Sequence, residues 1–165
     1  MINTDRLKLL PLQIKDAPFI LELLNTPGWL KYIGDRNVYS LEEAKDYLIN
    51  GPLKSYEING YGLYRVELPD DTIIGLCGII NRETLPFPDI GFALLPAFEG
   101  KGYISEAALA TKQYATSQLG IKQLCGITTN DNLASIRVLE KIGMKYIKKI
   151  QLPGGDDLLN FYQTD

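Results

Sequence analysis

Residues 93–110, ALLPAFEGKGYISEAALA, have a spacing that suits the binding of an anion. An apolar run is followed by Gly100-Lys101-Gly102 and then directly by a helix-forming run. A helix N-terminus offers unpaired N–H groups and the positive end of the helix dipole. Glycines let the backbone come close to an anion. The spacing therefore predicts a phosphate-binding turn, although a tight turn with an exposed lysine fits a lone Gly-Lys-Gly as well.

Two common nucleotide-binding motifs do not match this turn. A P-loop would need glycine where Leu95 stands and serine or threonine where Gly102 stands. The dinucleotide fingerprint fails because Ser105 occupies the position of its third glycine. A phosphate bound here would belong to another class of ligand.

The chain contains no histidine, which limits its chemistry. Ser-His-Asp and Cys-His nucleophile systems are excluded, as are HExxH zinc sites. Cys77 and Cys125 lie far apart in apolar, strand-like runs, a pattern typical of small buried core residues. We expect an enzyme, if the chain is one, to work without imidazole and without a metal.

Composition predicts one domain covering residues 1–165. The net charge of −3 and the pI near 5.1 argue against a nucleic-acid partner. No apolar run is long enough to cross a bilayer, so no membrane association is expected. The first residues, MINTDRLKLLPL, lack the features of a secretory signal, and a cytoplasmic location is predicted.

Hydrophobic periodicity predicts the element order β-α-α-β-β-β-α-β-α-β-β. Asp16 is the predicted N-cap of the first helix, and Ser40 with Glu43 has capping-box spacing at the second. Between these helices, residues 27–36 read as a turn-rich, aromatic loop. The unit from Ile90 to Thr129 predicts a parallel β-α-β crossover within a mixed sheet.

The stretch LLPAFEGKGYISEA resembles the acyl-CoA loop of the GNAT superfamily of N-acetyltransferases, especially its ribosomal-protein-alanine acetyltransferase (RimJ/RimL-like) branch. The family pattern Gln/Arg-x-x-Gly-x-Gly/Ala falls on residues 99–104 here. Gly102 matches the central glycine, while Glu99 replaces Gln/Arg and Ile104 replaces the small residue. Because Glu99 replaces the usual Gln or Arg, backbone N–H groups would do most of the binding of the diphosphate, helped by Lys101.

A second block, NDNLASIRVLEKIGM, resembles the next motif of the same family, which is Asn-x-x-Ser/Ala before a helix that ends in Gly-Phe. Asn132, Ser135, Gly143 and Met144 take those positions. The two blocks follow each other at the family's spacing. The resemblance implies an α+β fold with a mixed central sheet of about seven strands, splayed between the fourth and fifth strands and flanked by about four helices.

The resemblance also implies acetyl-CoA as the co-substrate. Backbone groups of the fourth strand would bind the pantetheine arm, the glycine turn would hold the diphosphate, and Asn132 would contact the pantetheine or acyl end. The implied coenzyme-binding residues are Phe92, Ala93, Leu94, Gly100, Lys101, Gly102, Tyr103, Ile104, Ser105 and Asn132. For Phe92 and Leu94, core packing is an alternative that does not exclude backbone contact.

In this family a primary amine attacks the thioester directly, so no enzyme nucleophile is needed. Asp89, at the start of the fourth strand, is the candidate base, with a solvated strand-start carboxylate as the alternative. Many relatives carry an acid tyrosine where Leu139 stands here. In the ribosomal-protein branch a serine is proposed near the sulfur, so the resemblance implies Ser135 as the candidate proton donor to the thiolate. Its alternative is a hydroxyl bonded back to a helix carbonyl.

The variable first third of the chain is expected to recognise the amine. Trp29, Tyr32 and Arg36 are the candidate acceptor-binding residues, and covering the core is the alternative for the aromatic pair. The acceptor would be a protein N-terminus or a small amine, and the chain a monomer or homodimer. Two other hypotheses remain: a non-catalytic acyl-CoA-binding module, and a phosphate-binding scaffold unrelated to coenzyme A.

Overall fold

The computed structural model describes residues 1–165 as one mixed sheet with helices on both faces. The strands are β1 Ile2–Asn3, β2 Lys8–Pro11, β3 Leu63–Glu67, β4 Ile73–Ile80, β5 Asp89–Leu94, β6 Cys125–Thr129, β7 Lys145–Gln151 and β8 Leu158–Gln163. The helices are α1 Ala17–Leu24, α2 Pro27–Tyr32, α3 Leu41–Leu48, α4 Lys54–Asn59, α5 Tyr103–Ser117 and α6 Leu133–Lys141.

The sheet has eight strands in the order β1-β2-β3-β4-β5-β6-β8-β7. Every neighbouring pair is antiparallel except β5 and β6, which are parallel and connected through α5. The predicted mixed sheet and the predicted parallel crossover are confirmed.

Strands β5 and β6 pair at one position only, Asp89 opposite Cys125. The N–H of Cys125 donates to the carbonyl of Pro88 at 3.0 Å, just before β5 begins. Beyond this point the two strands diverge. They correspond to the fourth and fifth of the strands that the sequence predicts, so the predicted splay between those two strands is confirmed. The divergence leaves a gap in the middle of the sheet.

Adjacent residues of β4 show how the two faces are covered. Leu76 packs with the apolar residues of α1, α2 and α3, whereas Cys77 faces the buried side of α5 and α6. The Cys77 thiol lies 3.3 Å from the Thr111 hydroxyl of α5. Cys77 and Cys125 are both fully buried, as their apolar surroundings predict.

Three elements were not predicted from the sequence: β1, α2 and α4. The prediction of a loop over residues 27–36 is wrong for Pro27–Tyr32, because Thr26 caps the helix and Pro27 fits its first turn. Helix α4 follows a π-helical turn over Ile49–Leu53 and ends at Gly60, whose φ is +75°. The short β1 adds the eighth strand to a sheet predicted to have about seven.

Asp16 stands at the N-cap position of α1 as predicted, but its side chain does not cap the helix. The Asp16 carboxylate accepts from the Gln13 N–H at 2.8 Å and pairs with Arg65 Nη1 at 2.9 Å. Arg65 also binds Glu67 at 2.5 Å, so one buried guanidinium joins two buried carboxylates. A buried charge needs such partners, and this one draws Asp16 away from its helix.

Helix α3 begins as predicted. Ser40 Oγ accepts from the Glu43 N–H at 3.2 Å. The returning bond of the capping box is displaced by one residue, because the Glu43 carboxylate accepts from the N–H of Tyr39 instead of Ser40. None of the helices is both long enough and apolar enough to span a bilayer.

Candidate active site

The glycine turn lies between the end of β5 and the start of α5. A 3₁₀ turn over Pro96–Phe98 leads into Gly100 and Gly102, whose φ values are +74° and +81°. Gly102 is the N-cap residue of the 15-residue helix α5. Both glycines adopt the left-handed conformation that other residues disfavour, so the backbone of the turn depends on them.

The backbone N–H groups of this turn are free. The first helical bond of α5 runs from the Glu106 N–H to the Gly102 carbonyl at 3.1 Å. The N–H groups from Gly100 to Ser105 donate to no acceptor within the chain. Six consecutive free donors at the positive end of a long helix form an arrangement that attracts an anion.

Two charged side chains flank the turn without blocking it. Lys101 is exposed, and its Nζ lies 5.7 Å from the centre of the Phe98 ring. Glu99 is also exposed and forms no ion pair. The carboxylate that replaces the family's Gln or Arg therefore lies in solvent, where water screens its charge.

The gap between β5 and β6 runs from the pairing of Asp89 with Cys125 towards the glycine turn. Phe92, Ala93 and Leu94 are half-buried on β5 and pair with β4 on one side. On the other side none of the three pairs with β6. That edge of β5 is open to an extended ligand, which could bind as an additional strand.

Asn132 is the N-cap residue of α6, the helix that follows β6. The Asn132 Oδ1 accepts from the Ser135 N–H at 3.2 Å and so caps the helix, which leaves its amide N–H groups without a partner. Ser135 is half-buried, and its hydroxyl forms no hydrogen bond within the chain. The alternative of a serine bonded back to a helix carbonyl is therefore not observed.

Asp89 lies at the closed end of the gap and its side chain is only 2% exposed. Burial raises the pKa of Asp89 to about 6, although the nearby Arg82 guanidinium partly offsets this effect. Arg82 Nε lies 3.1 Å from Asp89 Oδ1. The alternative of a solvated strand-start carboxylate is therefore wrong.

Arg82 was not identified from the sequence. It lies in the polar connection between β4 and β5, where no motif distinguishes it from other loop residues. Arg82 also lies near Tyr47 of α3. Burial raises the pKa of Tyr47, and the positive charges of Arg36 and Arg82 counteract that rise. Arg82 thus lies near both Asp89 and Tyr47.

The three candidate acceptor residues do not lie in similar environments. Trp29 is 7% exposed and packs among the apolar residues of α1 and α3, with its indole N–H buried and unpaired. Tyr32 is half-buried at the end of α2, and Arg36 is exposed without an ion pair. Core packing therefore accounts for most of the Trp29 surface.

Helix α2 nevertheless lies near the gap. Lys31 Nζ is 4.0 Å from Asp131 Oδ2, which directly precedes Asn132. The same Nζ is 4.8 Å from the centre of the Tyr32 ring. The end of α2 and the start of α6 are thus neighbours across the opening of the gap.

The fold and site together define a class of protein: a mixed sheet split at one parallel pair, with an anion-binding helix start at the split. A model of the acetyltransferase (GNAT) domain matches residues 6–145, and the chain belongs to this family. It is an acyl-CoA-dependent N-acetyltransferase. No group of three or more Cys, Asp or Glu side chains is arranged to hold a metal ion.

Two similar proteins match this chain over nearly its whole length. The Bacillus subtilis (strain 168) protein YnaD, described as an uncharacterized N-acetyltransferase, is 27% identical over 164 residues, covering 98% of this chain and 93% of its own. An acetyltransferase structure from Agrobacterium tumefaciens str. C58 has 26% identity and a TM-score of 0.81, covering 98% of this chain and 92% of its own.

A third similar protein is RimL, a ribosomal L7/L12 alpha-N-protein acetyltransferase whose structure contains coenzyme A. Its TM-score is 0.82 at 20% identity, and the match covers 97% of this chain and 94% of RimL. Proteins of similar fold thus include a ribosomal-protein acetyltransferase.

Proposed function

We propose that this protein moves an acetyl group from acetyl-CoA to the primary amine of a protein N-terminus or of a small molecule. Transfer takes place by direct attack within a ternary complex. The observation that carries the proposal is the row of six free N–H groups at the start of α5, beside the unpaired edge of β5.

The coenzyme fits these features one by one. The free N–H groups of Gly100 to Ser105 would bind the diphosphate, and Lys101 would add a positive charge beside them. The open edge of Phe92–Leu94 offers backbone groups to the pantetheine amides. The amide N–H groups of Asn132, which have no partner in the chain, would contact the pantetheine or acyl end. Acetyl-CoA supplies the activated acyl group.

In the proposed reaction a C–N bond forms as the thioester C–S bond breaks. Asp89 accepts the proton that the amine must lose, directly or through one water. Its pKa of about 6 leaves it largely ionised at neutral pH, and Arg82 holds it in place. The Ser135 hydroxyl, which has no competing partner in the chain, donates a proton to the leaving thiolate and regains one from solvent.

The acceptor would enter beside α2 and α3. Tyr32 and Arg36 lie on that side, and the buried Trp29 would act mainly by supporting α2. RimL acts on a protein N-terminus, which supports a peptide acceptor by likeness of fold alone.

We extend the proposal to one domain over residues 1–165, a cytoplasmic location, and a monomer or homodimer without a nucleic-acid partner.

A turnover screen tests this function. Thiol release from acetyl-CoA would be followed with peptide N-termini, polyamines, amino acids and aminoglycosides, and each product identified by mass spectrometry. We expect steady thiol release, equal to acetylated amine, with one acceptor class. The Asp89→Asn variant serves as the matched control, with tight acetyl-CoA binding and little turnover.

The competing hypothesis predicts a different outcome. If the wild-type protein binds acetyl-CoA tightly but acetylates none of the amines tested, it is a non-catalytic acyl-CoA-binding module. If it does not bind acetyl-CoA at all, the assignment of the glycine turn is wrong.

A further inference from the structure

Arg6, in the turn between β1 and β2, reaches across to the glycine turn. Its Nε lies 2.7 Å from Glu106 Oε2, and its Nη1 donates to the carbonyl of Lys101 at 3.0 Å. The guanidinium carbon lies 4.7 Å from the centre of the Tyr103 ring. One side chain therefore contacts three successive parts of the segment that begins α5, although it lies about a hundred residues away in sequence.

Glu106 completes this connection from the first turn of α5. Its Oε1 accepts from the Thr4 hydroxyl at 2.6 Å and from the Arg6 N–H at 3.0 Å. Burial raises the pKa of Glu106, but the hydrogen bonds from Thr4 and Arg6 outweigh it and hold that pKa below its usual value. The carboxylate stays ionised and its charge is balanced by Arg6.

The contact with Lys101 has a specific geometric consequence. The carbonyl of Lys101 and the N–H of Gly102 belong to one planar, trans peptide group, so they point in opposite directions. When Arg6 binds the carbonyl, it fixes the direction of the Gly102 N–H. The glycines on either side of Lys101 have no side chain to restrict this peptide group, so an outside contact is needed to hold it.

We propose that Arg6 is a positioning residue for the coenzyme loop. It holds the peptide group between Lys101 and Gly102 so that the Gly102 N–H points towards the diphosphate before the coenzyme arrives. This inference rests on the proposed acetyl-CoA site. It concerns β1 and β2, which lie outside both sequence blocks that suggested the site.

The test compares Arg6→Gln with Lys8→Gln. Lys8 lies two residues further on and forms an exposed ion pair with Asp71 at 2.9 Å, so its variant controls for loss of a charge from the same part of the chain. For Arg6→Gln we expect the Kd of coenzyme A and the KM of acetyl-CoA to rise about tenfold or more. The kcat at saturating acetyl-CoA and the KM of the amine should stay within about twofold, because the proposed base Asp89 lies at the opposite end of β5 from the glycine turn.

Two further variants separate positioning from charge. Arg6→Lys keeps the charge but cannot bind Glu106 and the Lys101 carbonyl with a planar fork, so affinity should remain reduced. Glu106→Gln removes a negative charge near the diphosphate site. If Arg6 acts by charge alone this variant tightens coenzyme A binding, whereas a positioning role predicts weaker binding.

Several outcomes would overturn the inference: unchanged affinity in Arg6→Gln, full affinity in Arg6→Lys, or tighter binding in Glu106→Gln. Thermal melting of each variant shows whether it is folded at the assay temperature. Absence of coenzyme A binding by the wild-type protein would instead overturn the proposed function, so the two failures are distinguishable.

Discussion

Asp89 is enclosed from two sides, by Ile80 on β4 and by Cys125 on β6. This position removes water from the carboxylate, and one arginine replaces part of the lost solvation. The two effects oppose each other, and burial is the larger, which leaves the pKa of Asp89 near 6. A base with this pKa is ionised in most molecules at neutral pH and can still accept a proton from an ammonium group through water.

The first prediction concerns the pH profile. The active form of a base is the deprotonated one, so log kcat/KM should rise with pH up to about 6 and then level off. Asp89→Asn should remove this inflection and lower the rate about 100-fold or more. Arg82→Gln should move the inflection to higher pH, because it removes the charge that lowers the pKa of Asp89. An inflection near pH 6 that survives in Asp89→Asn would exclude Asp89 as the base.

The second prediction concerns Ser135. Because the cap of α6 uses the Ser135 backbone N–H, Ser135→Ala keeps that bond and removes only the hydroxyl. We expect kcat to fall about 10- to 100-fold with an unchanged melting temperature. Asn132→Ala is the contrasting variant, since it removes the cap and should cost about 1 kcal/mol of unfolding free energy. An unchanged kcat in Ser135→Ala would show that another donor protonates the thiolate.

At the scale of elements, the paired strands β4 and β5 hold both Asp89 and the open edge. Gly78 of β4 is opposite Gly91 of β5, yet the two glycines meet different surroundings. A Cβ on Gly78 would lie 2.2 Å from the Gly62 carbonyl oxygen, which is backbone. A Cβ on Gly91 would lie 2.8 Å from the tip of the Ile80 side chain, which can rotate away.

The third prediction follows from this difference. Gly78→Ala should lower the free energy of unfolding by about 2–3 kcal/mol, because strand β3 must move to admit the methyl group. Gly91→Ala, its partner across the strand pair, should cost less than about 1 kcal/mol. Urea denaturation of both variants measures the two values. Equal losses would contradict the account of close backbone packing beside Gly78.

The elements also show what the sequence can predict. Helix α5 was predicted because a helix-forming run directly follows the glycine turn, and that signal is local. Helices α2 and α4 have six residues each, too short for periodicity to reveal. The contacts of Arg6 and Arg82 were missed for a related reason. Their roles depend on which elements become neighbours, and no local pattern encodes that.

At the scale of the whole molecule, the gap arises from the way two parts of the sheet meet. Strands β1 to β5 form one continuous antiparallel part, and β6, β8 and β7 form another. Their only strand pairing is Asp89 with Cys125, so the site opens where the chain crosses from one part to the other. The net charge of −3 would repel a polyanionic coenzyme at a distance, so binding must depend on local donors at the start of α5.

Calorimetric titration of coenzyme A into Gly102→Asp and Gly120→Asp tests this dependence most directly. Both glycines have positive φ, +81° and +67°, so aspartate meets similar backbone strain at each, at opposite ends of α5. We predict that Gly102→Asp loses about 100-fold or more in affinity, because it adds a side chain and a negative charge to the anion site, whereas Gly120→Asp binds like the wild type. Equal affinity in Gly102→Asp and the wild type would contradict the account.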